Sequence, residues 1–428
     1  MPFSTLGLSP AMLRAVSSKA YLAPTPIQLA AIPAALQGRD LLGSAQTGSG
    51  KTAAFGLPLL QKIEQTILYA PRRVLALVLV PTRELAVQIG DELRSLAKHL
   101  PQALKISTVF GGVSINPQMM GLRGGTDIMV ATPGRLLDLL DHNALSLAHV
   151  ATLVLDEADR LLDLGFAEEL NRILALLPRQ RQNLFFSATF APAVQTLANT
   201  LLRDPLRVDV LPDPQSPLEI VQTAIAVDAG RRTQLLRHLI QQNGWSRVLV
   251  FVATKHAAEI VADKLRKVNI SAEPFHGALS QGKRTQVLMD FKSLRLTVVV
   301  ATDVAARGLD IAQLQVMVNY DLPRSAVDYT HRIGRTGRAG ESGLAISFVS
   351  ADTQAHFRLI EKRQGLALPL VPVAGFEPVQ QASVPESAPI DAANGGIKGK
   401  RPSKKDKLRA AAHFSPPPKA GATTPNAT

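Results

Sequence analysis

Residues 45–52 read Ala45-Gln46-Thr47-Gly48-Ser49-Gly50-Lys51-Thr52 and separate a predicted strand from a helical pattern. Gly48 and Gly50 allow the backbone to turn tightly, so that consecutive N–H groups can surround an anion at the N-terminus of the following helix. Lys51 and Thr52 complete a phosphate-binding pattern, in which they reach the β- and γ-phosphates and a Mg²⁺ ion. The strict pattern has glycine at the first position, where this chain has alanine. An ordinary glycine-rich turn is the alternative, but the flanking strand and helix favour a nucleotide-binding loop.

The composition is that of a basic globular protein without cysteine. The 428 residues are 46% hydrophobic but only 4% aromatic, so aliphatic side chains must fill the cores of two or three domains. The 47 lysines and arginines exceed the 34 acidic residues, and the net charge of +13 favours a polyanionic partner. The absence of cysteine excludes disulfides and thiolate metal sites. We find neither a signal-peptide pattern nor an apolar run that could span a bilayer, and therefore expect a cytoplasmic protein without a membrane partner.

Short aliphatic and β-branched runs alternate with longer helical patterns along the chain. Continuous apolar strands between amphipathic helices predict an α/β fold with parallel sheets covered on both faces. Ligand sites of such sheets lie at the carboxyl ends of the strands. The first series of predicted strands is Asp40–Ala45, Val74–Val80, Lys105–Phe110, Asp127–Ala131, Thr152–Asp156 and Asn183–Ser187, and the second is Arg247–Val252, Ser271–Phe275, Thr297–Thr302, Val316–Tyr320 and Gly343–Val349.

Four prolines between residues 205 and 217 separate the two series of strands. Because proline removes backbone donors and resists both helix and sheet, we predict domains at 1–205 and 218–375 joined by a linker at 206–217. One domain with a long surface loop is the alternative, but it requires an unusually large sheet. Residues 376–428 contain the basic cluster Lys398–Arg409 and too little apolar surface to offset the entropy of ordering, so we expect a disordered basic C-terminal tail.

A second motif, Asp156-Glu157-Ala158-Asp159, follows the predicted strand Thr152–Asp156. An apolar strand that ends in two adjacent carboxylates suits a Mg²⁺ ligand, Asp156, beside a residue that orients the attacking water, Glu157. A lone Asp-Glu pair is usually a solvated surface feature. Together with the phosphate loop, this pair indicates ATP hydrolysis.

The Asp156–Asp159 motif resembles the signature of the DEAD-box RNA helicases, and a dozen further motifs agree in order and spacing from Phe3 to about Phe348. Segments 163–166 and 182–190 resemble those of bacterial RhlE-type members. The resemblance implies two tandem RecA-like domains, ATP and Mg²⁺ as cofactors, and RNA as the partner. It further implies a monomer that locally unwinds short RNA duplexes, with possible protein partners in ribosome assembly or RNA decay.

The resemblance also implies an ATP-binding set in both domains. Within the Q motif at residues 1–29, Gln28 matches the adenine-reading residue, whose amide offers both a donor and an acceptor. Tyr21 matches the aromatic residue that stacks on the base, and the family usually has glycine before it, where this chain has Ala20. The expected ATP-binding set is Phe3, Tyr21, Gln28, Thr47, Gly48, Ser49, Gly50, Lys51, Thr52, Gly308 and Asp310, with Thr52 and Asp156 holding Mg²⁺ partly through water.

Segments of both domains resemble the family's contacts to the RNA backbone. Hydroxyls, glycine amides and arginines hold phosphates and sugars without reading bases, so binding should be largely independent of RNA sequence. The expected RNA-binding set is Pro81, Thr82, Arg83, Gly112, Thr132, Pro133, Arg135, His276, Arg284 and Thr302.

The resemblance implies that two further motifs connect the domains. Ser187-Ala188-Thr189 resembles the motif that couples hydrolysis to strand separation, and its hydroxyls would bridge Asp159 to His331. Arg335 and Arg338 match arginine fingers, whose guanidinium groups can neutralise the oxygens of the γ-phosphoryl group. The resemblance thus implies that the catalytic residues Lys51, Asp156, Glu157, Arg335 and Arg338 are divided between two domains that close on ATP and RNA.

The sequence leaves three other functions open. An ATP-dependent RNA clamp or annealer would use the same motifs, so the sequence does not separate it from an unwinding enzyme. A non-catalytic RNA-binding scaffold would need degraded catalytic positions, whereas Lys51, Asp156, Glu157 and Arg338 are intact. The Q motif and the amino acids at positions 156–159 favour RNA as the substrate, and they therefore disfavour a DNA helicase.

Overall fold

The computed structural model describes residues 1–44, 49–209, 220–306, 314–337 and 343–379, and its strands form two parallel sheets. We call residues 1–209, which contain the first sheet, the first lobe. Its strands are β1 (Leu41–Ser44), β2 (Ala76–Leu79), β3 (Ile106–Val109), β4 (Ile128–Ala131), β5 (Thr152–Leu155), β6 (Gln182–Ser187) and β7 (Leu206–Asp209). Its helices are α1 (Pro10–Ser18), α2 (Pro26–Leu36), α3 (Lys51–Glu64), α4 (Arg83–Ala97), α5 (Asn116–Gly121), α6 (Pro133–Asp141), α7 (Ala158–Asp163), α8 (Ala167–Leu176) and α9 (Pro192–Leu201).

The second lobe, residues 220–379, contains the second sheet. Its strands are β8 (Ile220–Ala226), β9 (Val248–Val252), β10 (Ala272–Phe275), β11 (Val298–Thr302), β12 (Val316–Asn319), β13 (Gly343–Val349) and β14 (Leu370–Val371). Its helices are α10 (Arg232–Asn243), α11 (Lys255–Arg266), α12 (Gln281–Lys292), α13 (Asp303–Ala306), α14 (Ala326–Ile333) and α15 (Gln354–Gln364). None of the described helices is long and apolar enough to cross a membrane.

The two sheets have the same strand order. The first sheet is ordered β3-β4-β2-β5-β6-β1-β7 and the second β10-β11-β9-β12-β13-β8-β14, which is the first order repeated seven strands later. Every strand pair among the described residues is parallel. The repeated order confirms the predicted α/β fold of two tandem RecA-like lobes.

Both faces of each sheet are buried under helices, as continuous apolar strands require. Successive side chains of a strand point to opposite faces. In β2, Val78 therefore packs in one core and Leu77 and Leu79 in the core on the other face. In β9, Val250 and Phe251 divide in the same way between two cores of the second lobe.

Two predicted boundaries need correction. The linker was expected to begin at residue 206, but Leu206–Asp209 forms β7, which pairs with β1 at the sheet edge. Its alternation of Leu206 and Val208 with charged residues is too short to be recognised without the partner strand. The tail was expected to begin at residue 376, but the ring of Phe376 packs against His238, with ring centroids 5.3 Å apart. The rest of the predicted linker and tail, 210–217 and 380–428, lies outside the described residues.

The predicted strands otherwise agree with the observed ones to within one or two residues at each end. The sequence pattern missed β8 and β14 in addition to β7. β8 has only two buried residues, Ala224 and Ile225, rather than a continuous buried run, and β14 has only two residues. All three strands gain their hydrogen bonds from distant strands, which a local pattern does not contain.

Candidate active site

The phosphate loop lies between β1 and α3 at the carboxyl edge of the first sheet. Lys51 is the first residue of α3, and its buried ammonium nitrogen lies 3.5 Å from Asp156 Oδ1, just after β5. β6 alone separates β1 from β5, so the sheet order brings the two predicted motifs together. Of the other loop residues, Ser49, Gly50 and Thr52 are described, whereas Thr47 and Gly48 lie outside the described residues.

Glu157 occupies a strained and buried position beside this pair. Its φ of 52° is left-handed, a conformation that costs a side-chain-bearing residue about 1–2 kcal/mol. Burial raises the pKa of Glu157, while the charges of Lys51 and Arg335 oppose that rise. Strain of this kind is typically retained at functional positions. The turn therefore holds the Glu157 carboxylate beside the two groups predicted to act on phosphate.

The Q-motif segment packs directly against the phosphate loop. The amide nitrogen of Gln28 donates to the Gly50 carbonyl at 3.1 Å, and its amide oxygen accepts the Thr25 N–H at 3.0 Å. Since an amide has two donors and two lone pairs, one donor and one acceptor site remain for an adenine edge. A Cβ on Gly50 would lie 2.5 Å from the same nitrogen, so glycine is needed there.

Tyr21 and Phe3 form the expected aromatic pair. Their ring centroids are 6.5 Å apart with an interplanar angle of 26°, and the Tyr21 hydroxyl donates to Glu92 Oε1 at 2.9 Å. Ala20, which precedes Tyr21, has a φ of 54°. This left-handed conformation explains why glycine suits the position, because glycine adopts it without a Cβ clash.

The RNA-binding residues predicted in the first lobe meet at the carboxyl ends of β2, β3 and β4. Arg83 approaches the Gly112 carbonyl at 3.5 Å, and Arg135 donates to the Val113 carbonyl at 2.6 Å. The Thr132 hydroxyl accepts the N–H of Gly111 at 3.3 Å. Pro81 and Thr82 lie buried between β2 and α4, and Pro133 is the first residue of α6.

The residues predicted to bind RNA in the second lobe differ in accessibility. His276 follows β10, and its Nε2 lies 2.8 Å from Glu259 Oε1, while Thr302 is half-buried at the end of β11. Arg284 is buried, as His276 is, and forms an ion pair with Glu84 of the first lobe at 2.7 Å. Its guanidinium also lies over the ring of Phe275, 5.1 Å from the ring centroid. Arg284 thus contacts the other lobe, and its expected phosphate contact stays a prediction.

The coupling residues of the first lobe form one hydrogen-bonded cluster. The Thr189 hydroxyl and N–H both donate to Asp159 Oδ2, at 2.9 and 3.1 Å, and Ser187 Oγ accepts the Asp159 N–H at 3.3 Å. His331 lies across a cavity of about 200 Å³ from Thr189, and its buried Nε2 has no hydrogen-bond partner among the described residues. The predicted cluster is therefore present within the first lobe, but its bridge to His331 is not formed.

Charged side chains connect the lobes near His331. Arg160, directly after Asp159, is buried and donates to Asp328 Oδ1 of α14 at 3.1 Å. Arg335 is buried, and its charge opposes the raised pKa of Glu157. It also helps to lower the pKa of His331, for which burial and then Arg160 are larger causes. Three residues assigned to this site by resemblance, Gly308, Asp310 and Arg338, lie outside the described residues.

Comparison with known families agrees with this geometry. The DEAD/DEAH box helicase family matches residues 25–197, and the helicase conserved C-terminal domain matches residues 231–340. Over 360 residues the chain is 41% identical to the DEAD-box ATP-dependent RNA helicase CshA of Bacillus cereus, covering 84% of this chain and 67% of that protein. The chain belongs to the DEAD-box RNA helicases. It is an ATP-dependent enzyme that acts on RNA.

Two further proteins are similar to this DEAD-box helicase. It is 43% identical over 350 residues to the ATP-dependent rRNA helicase rrp3 of Sclerotinia sclerotiorum, covering 81% of this chain and 71% of that protein. Among solved structures it resembles S. cerevisiae Dbp5 bound to RNA and ADP BeF3, with a TM-score of 0.75, 30% identity, and coverage of 87% of this chain and 95% of that chain. The resemblance to the RhlE type in particular stays a prediction.

The overall similarity to that yeast protein differs between its solved complexes. A single-residue variant of Dbp5 gives the same TM-score of 0.75 when it is bound to RNA and ADP BeF3. The same variant gives only 0.58, over nearly the same coverage, when it is bound to Nup159, a Gle1 variant, IP6 and ADP. We call the arrangement of the two lobes in this helicase closed, because ion pairs of Arg284 with Glu84 and of Arg160 with Asp328 join them.

Sequence reasoning missed several charged residues at or near the contacts between the lobes of this DEAD-box helicase. Glu84 and Asp328 are acceptors of ion pairs between the lobes, and neither belongs to the predicted set. Arg332 is also buried and binds both oxygens of Asp303, at 2.6 and 2.7 Å, which joins α14 to α13. The sequence offered one indication of their importance, because two of them lie next to predicted site residues: Glu84 follows Arg83 and Arg332 follows His331.

Proposed function

We propose that the helicase unwinds short RNA duplexes locally, using a catalytic site that is complete only when its two lobes close. The observation that carries this proposal is the position of Arg335. This residue belongs to the second lobe, yet its charge acts on the buried Glu157 carboxylate of the first lobe. An arginine finger in this position can contribute on the order of 10³–10⁵ to the rate of phosphoryl transfer.

The residues of the first lobe divide the work of ATP binding. Lys51 neutralises the β- and γ-phosphates, and Glu157 orients the attacking water. Asp156 and Thr52 fit a Mg²⁺ ion, because Asp156 Oδ2 accepts no hydrogen bond from the described residues. A Mg²⁺ ion prefers one or two carboxylates together with phosphates and water, and it would neutralise charge on the phosphate oxygens.

RNA would lie along the carboxyl edges of both sheets. The first-lobe contacts follow β2, β3 and β4, while His276 and Thr302 follow β10 and β11, which are the equivalents of β3 and β4 in the repeated order. Contacts from both lobes to one strand would bend that strand as the lobes close. Separating a few stacked base pairs costs about 1.4 kcal/mol for each step, and contacts of this kind can supply that free energy.

We further infer a cytoplasmic monomer that acts on ribosomal or other structured RNA. The similar protein rrp3 is named as an rRNA helicase, which supports a role in ribosome assembly. Proteins of ribosome assembly or RNA decay are then the expected partners. Sedimentation of the purified protein and sequencing of crosslinked RNA would test the oligomeric state and the RNA target.

The test of the split site is Arg335→Ala in the full-length chain. We expect RNA-stimulated ATP hydrolysis under single-turnover conditions to fall about 10³-fold, as for other removed arginine fingers. ATP and RNA affinities should change much less, because the finger acts in the transition state. Arg363→Ala is the matched control, since Arg363 is an exposed arginine of α15.

Two results would contradict the proposal. Hydrolysis by Arg335→Ala at the parental rate would exclude a finger, and an equal loss in Arg363→Ala would show that the effect is not specific. A strand-displacement assay with a short RNA duplex separates unwinding from clamping. RNA-stimulated hydrolysis without displacement would favour the clamp.

A further inference from the structure

The edge of the first sheet opposite the catalytic site is strongly basic. Because all seven described strands are parallel, the residues that precede them meet at this edge, which we call the amino edge. The five residues before each strand contain eight lysines and arginines but only three aspartates. The basic residues are Arg39, Arg72, Arg73, Lys105, Arg123, Arg179, Arg181 and Arg203. The equivalent positions of the second lobe hold four lysines and arginines and two glutamates.

Two of the three aspartates at the amino edge are buried and already engaged. Asp40 accepts the backbone N–H groups of Asn183 and Arg203 at 2.7 and 2.9 Å. Asp127 accepts the Lys105 N–H at 2.7 Å and pairs with Arg72. These carboxylates hold the sheet together and leave the exposed arginines of the edge uncompensated.

Two arginines of the amino edge, Arg181 and Arg203, are close enough for one charge to act on the other. Burial, and next the charge of Arg203, lowers the pKa of Arg181. Arg39, Arg73, Arg123, Arg179 and Arg203 are all exposed, and in the described part of the chain none of them forms an ion pair with a carboxylate. Strands are spaced about 4.8 Å apart, so seven strands carry this charge along a line of about 30 Å.

A cavity of about 400 Å³ opens at the part of the amino edge below β2, β4 and β5. Its charged lining comes from Arg72, Arg73 and Arg123, with His149 beside them. The chain segments that form it are tied together, because the Arg72 N–H donates to the Gly124 carbonyl at 3.0 Å. A Cβ on the neighbouring glycine, Gly125, would overlap the Arg72 carbonyl.

Arg73 is held at the mouth of this cavity by an aromatic ring. Its guanidinium lies 4.6 Å from the ring centroid of Tyr69, which is 51% exposed. Lys105 contributes a further charge nearby, since its ammonium group donates to the Arg123 carbonyl at 2.8 Å. Arginines beside an exposed aromatic ring suit an RNA strand, whose phosphates bind the guanidinium groups while a base stacks on the ring.

We propose that the amino edge of the first sheet, centred on the cavity between Arg73 and Arg123, is a second RNA-binding surface. RNA is the polyanion that the established activity brings to this lobe. A lobe of about 200 residues is roughly 40 Å across, so RNA held at the carboxyl edge must extend about that much further to reach the amino edge. The surface would therefore add affinity only for long or structured RNA.

The test is the full-length double variant Arg73→Gln/Arg123→Gln, measured with two RNA lengths. With a single strand of about 10 nucleotides, affinity and ATPase rate should match the parent protein, because this RNA cannot reach the amino edge. With a single strand of about 40 nucleotides, affinity should fall about tenfold, and the slope of log K against log salt should fall by about 1.4 for two lost phosphate contacts. The ATPase rate at saturating RNA should not change.

Arg237→Gln/Lys264→Gln is the matched control, because it removes two exposed positive charges from helices of the second lobe. The control should keep the affinity for both RNAs, and Arg73→Lys/Arg123→Lys should restore most of the lost affinity. Unchanged binding of the long RNA by the glutamine variant would overturn the proposal. Equal loss for the short and long RNA would also overturn it, since the substitutions would then act on the catalytic path.

Discussion

Closure of the helicase should depend strongly on the ion pair between Glu84 of α4 and Arg284 of α12. The charged atoms are 2.7 Å apart, and the side chains are only 6% and 4% exposed. Burial raises the pKa of Glu84 and lowers that of Arg284, and each charge partly offsets the shift of the other. Separation of the lobes would return both groups to water, so this pair is specific to the closed arrangement.

Arg284→Met leaves a buried Glu84 without its cation while keeping most of the aliphatic volume. Removing one partner of a buried ion pair costs about 3–5 kcal/mol. We expect a cost near the lower end of this range, because burial raises the pKa of Glu84 and so allows its carboxylate to take up a proton more readily. A loss of about 3 kcal/mol corresponds to a roughly 100-fold shift towards the open form.

The absence of cysteine makes closure directly measurable by fluorescence energy transfer. Dyes attached at Ala175→Cys and Gln242→Cys, on exposed positions of the two lobes, would report their separation. In the presence of a non-hydrolysable ATP analogue, the RNA concentration for half-closure should rise about 100-fold in Arg284→Met. Glu84→Met/Arg284→Met should recover part of this loss, because it leaves no unpaired buried charge.

Lys283→Met is the control for this experiment. Lys283 precedes Arg284 on α12 but pairs with Glu273 of its own lobe, at 2.9 Å. The reasoning would be refuted if Arg284→Met closed at the same RNA concentration as the parent, or if Lys283→Met lost as much. It would also fail if the double variant showed the sum of the two single losses.

Three further changes have expected outcomes. Ala20→Gly should stabilise the first lobe by about 0.5–1 kcal/mol in urea unfolding, because it relieves a left-handed φ; no shift of the midpoint would contradict this. Burial, followed by Arg160, lowers the pKa of His331 from 6.5 to about 3 in the closed form, so an open His331 gains a proton that a closed one does not. The neutral His331 therefore favours the closed form fully above pH 6.5, and this stabilisation of the closed form is lost progressively as the pH falls below 6.5. kcat/KM for RNA should fall about tenfold per pH unit from 6.5 downwards, and a His331→Gln profile of unchanged slope would be inconsistent with this. Deletion of residues 380–428 should raise the KM for RNA and flatten its salt dependence; unchanged values at low and high salt would reject a tethering tail.

Much of the candidate site could be predicted because its motifs are local. The phosphate loop, the Asp156–Asp159 turn and the Ser187–Thr189 segment each follow an apolar strand, and parallel strands present their carboxyl ends at one edge. Lys51 and Asp156 are 3.5 Å apart although 105 residues separate them in the chain. The two motifs predicted that Lys51 and Asp156 lie close together, but the distance between them depends on the order of the strands in the sheet.

Contacts between the lobes could not be predicted in this way. Arg284 matches a family RNA contact, yet the structure pairs it with Glu84, 200 residues away. Arg160 and Asp328 are polar residues on helices, and nothing in their local sequence shows that they face each other across two lobes. The edge strand β7 was missed for the same reason, since its hydrogen bonds come from β1.

The amino-acid sequence alone determined eleven of the fourteen described strands, the phosphate loop and the family of this helicase, because runs of apolar residues and short motifs carry that information within a few positions. Tertiary structure alone decided which charges pair across the lobes, that Ala20 and Glu157 take a left-handed backbone, and that the arginines before five strands of the first sheet share one edge. Each of these depends on groups that are far apart in the chain and are brought together by the parallel packing of the strands.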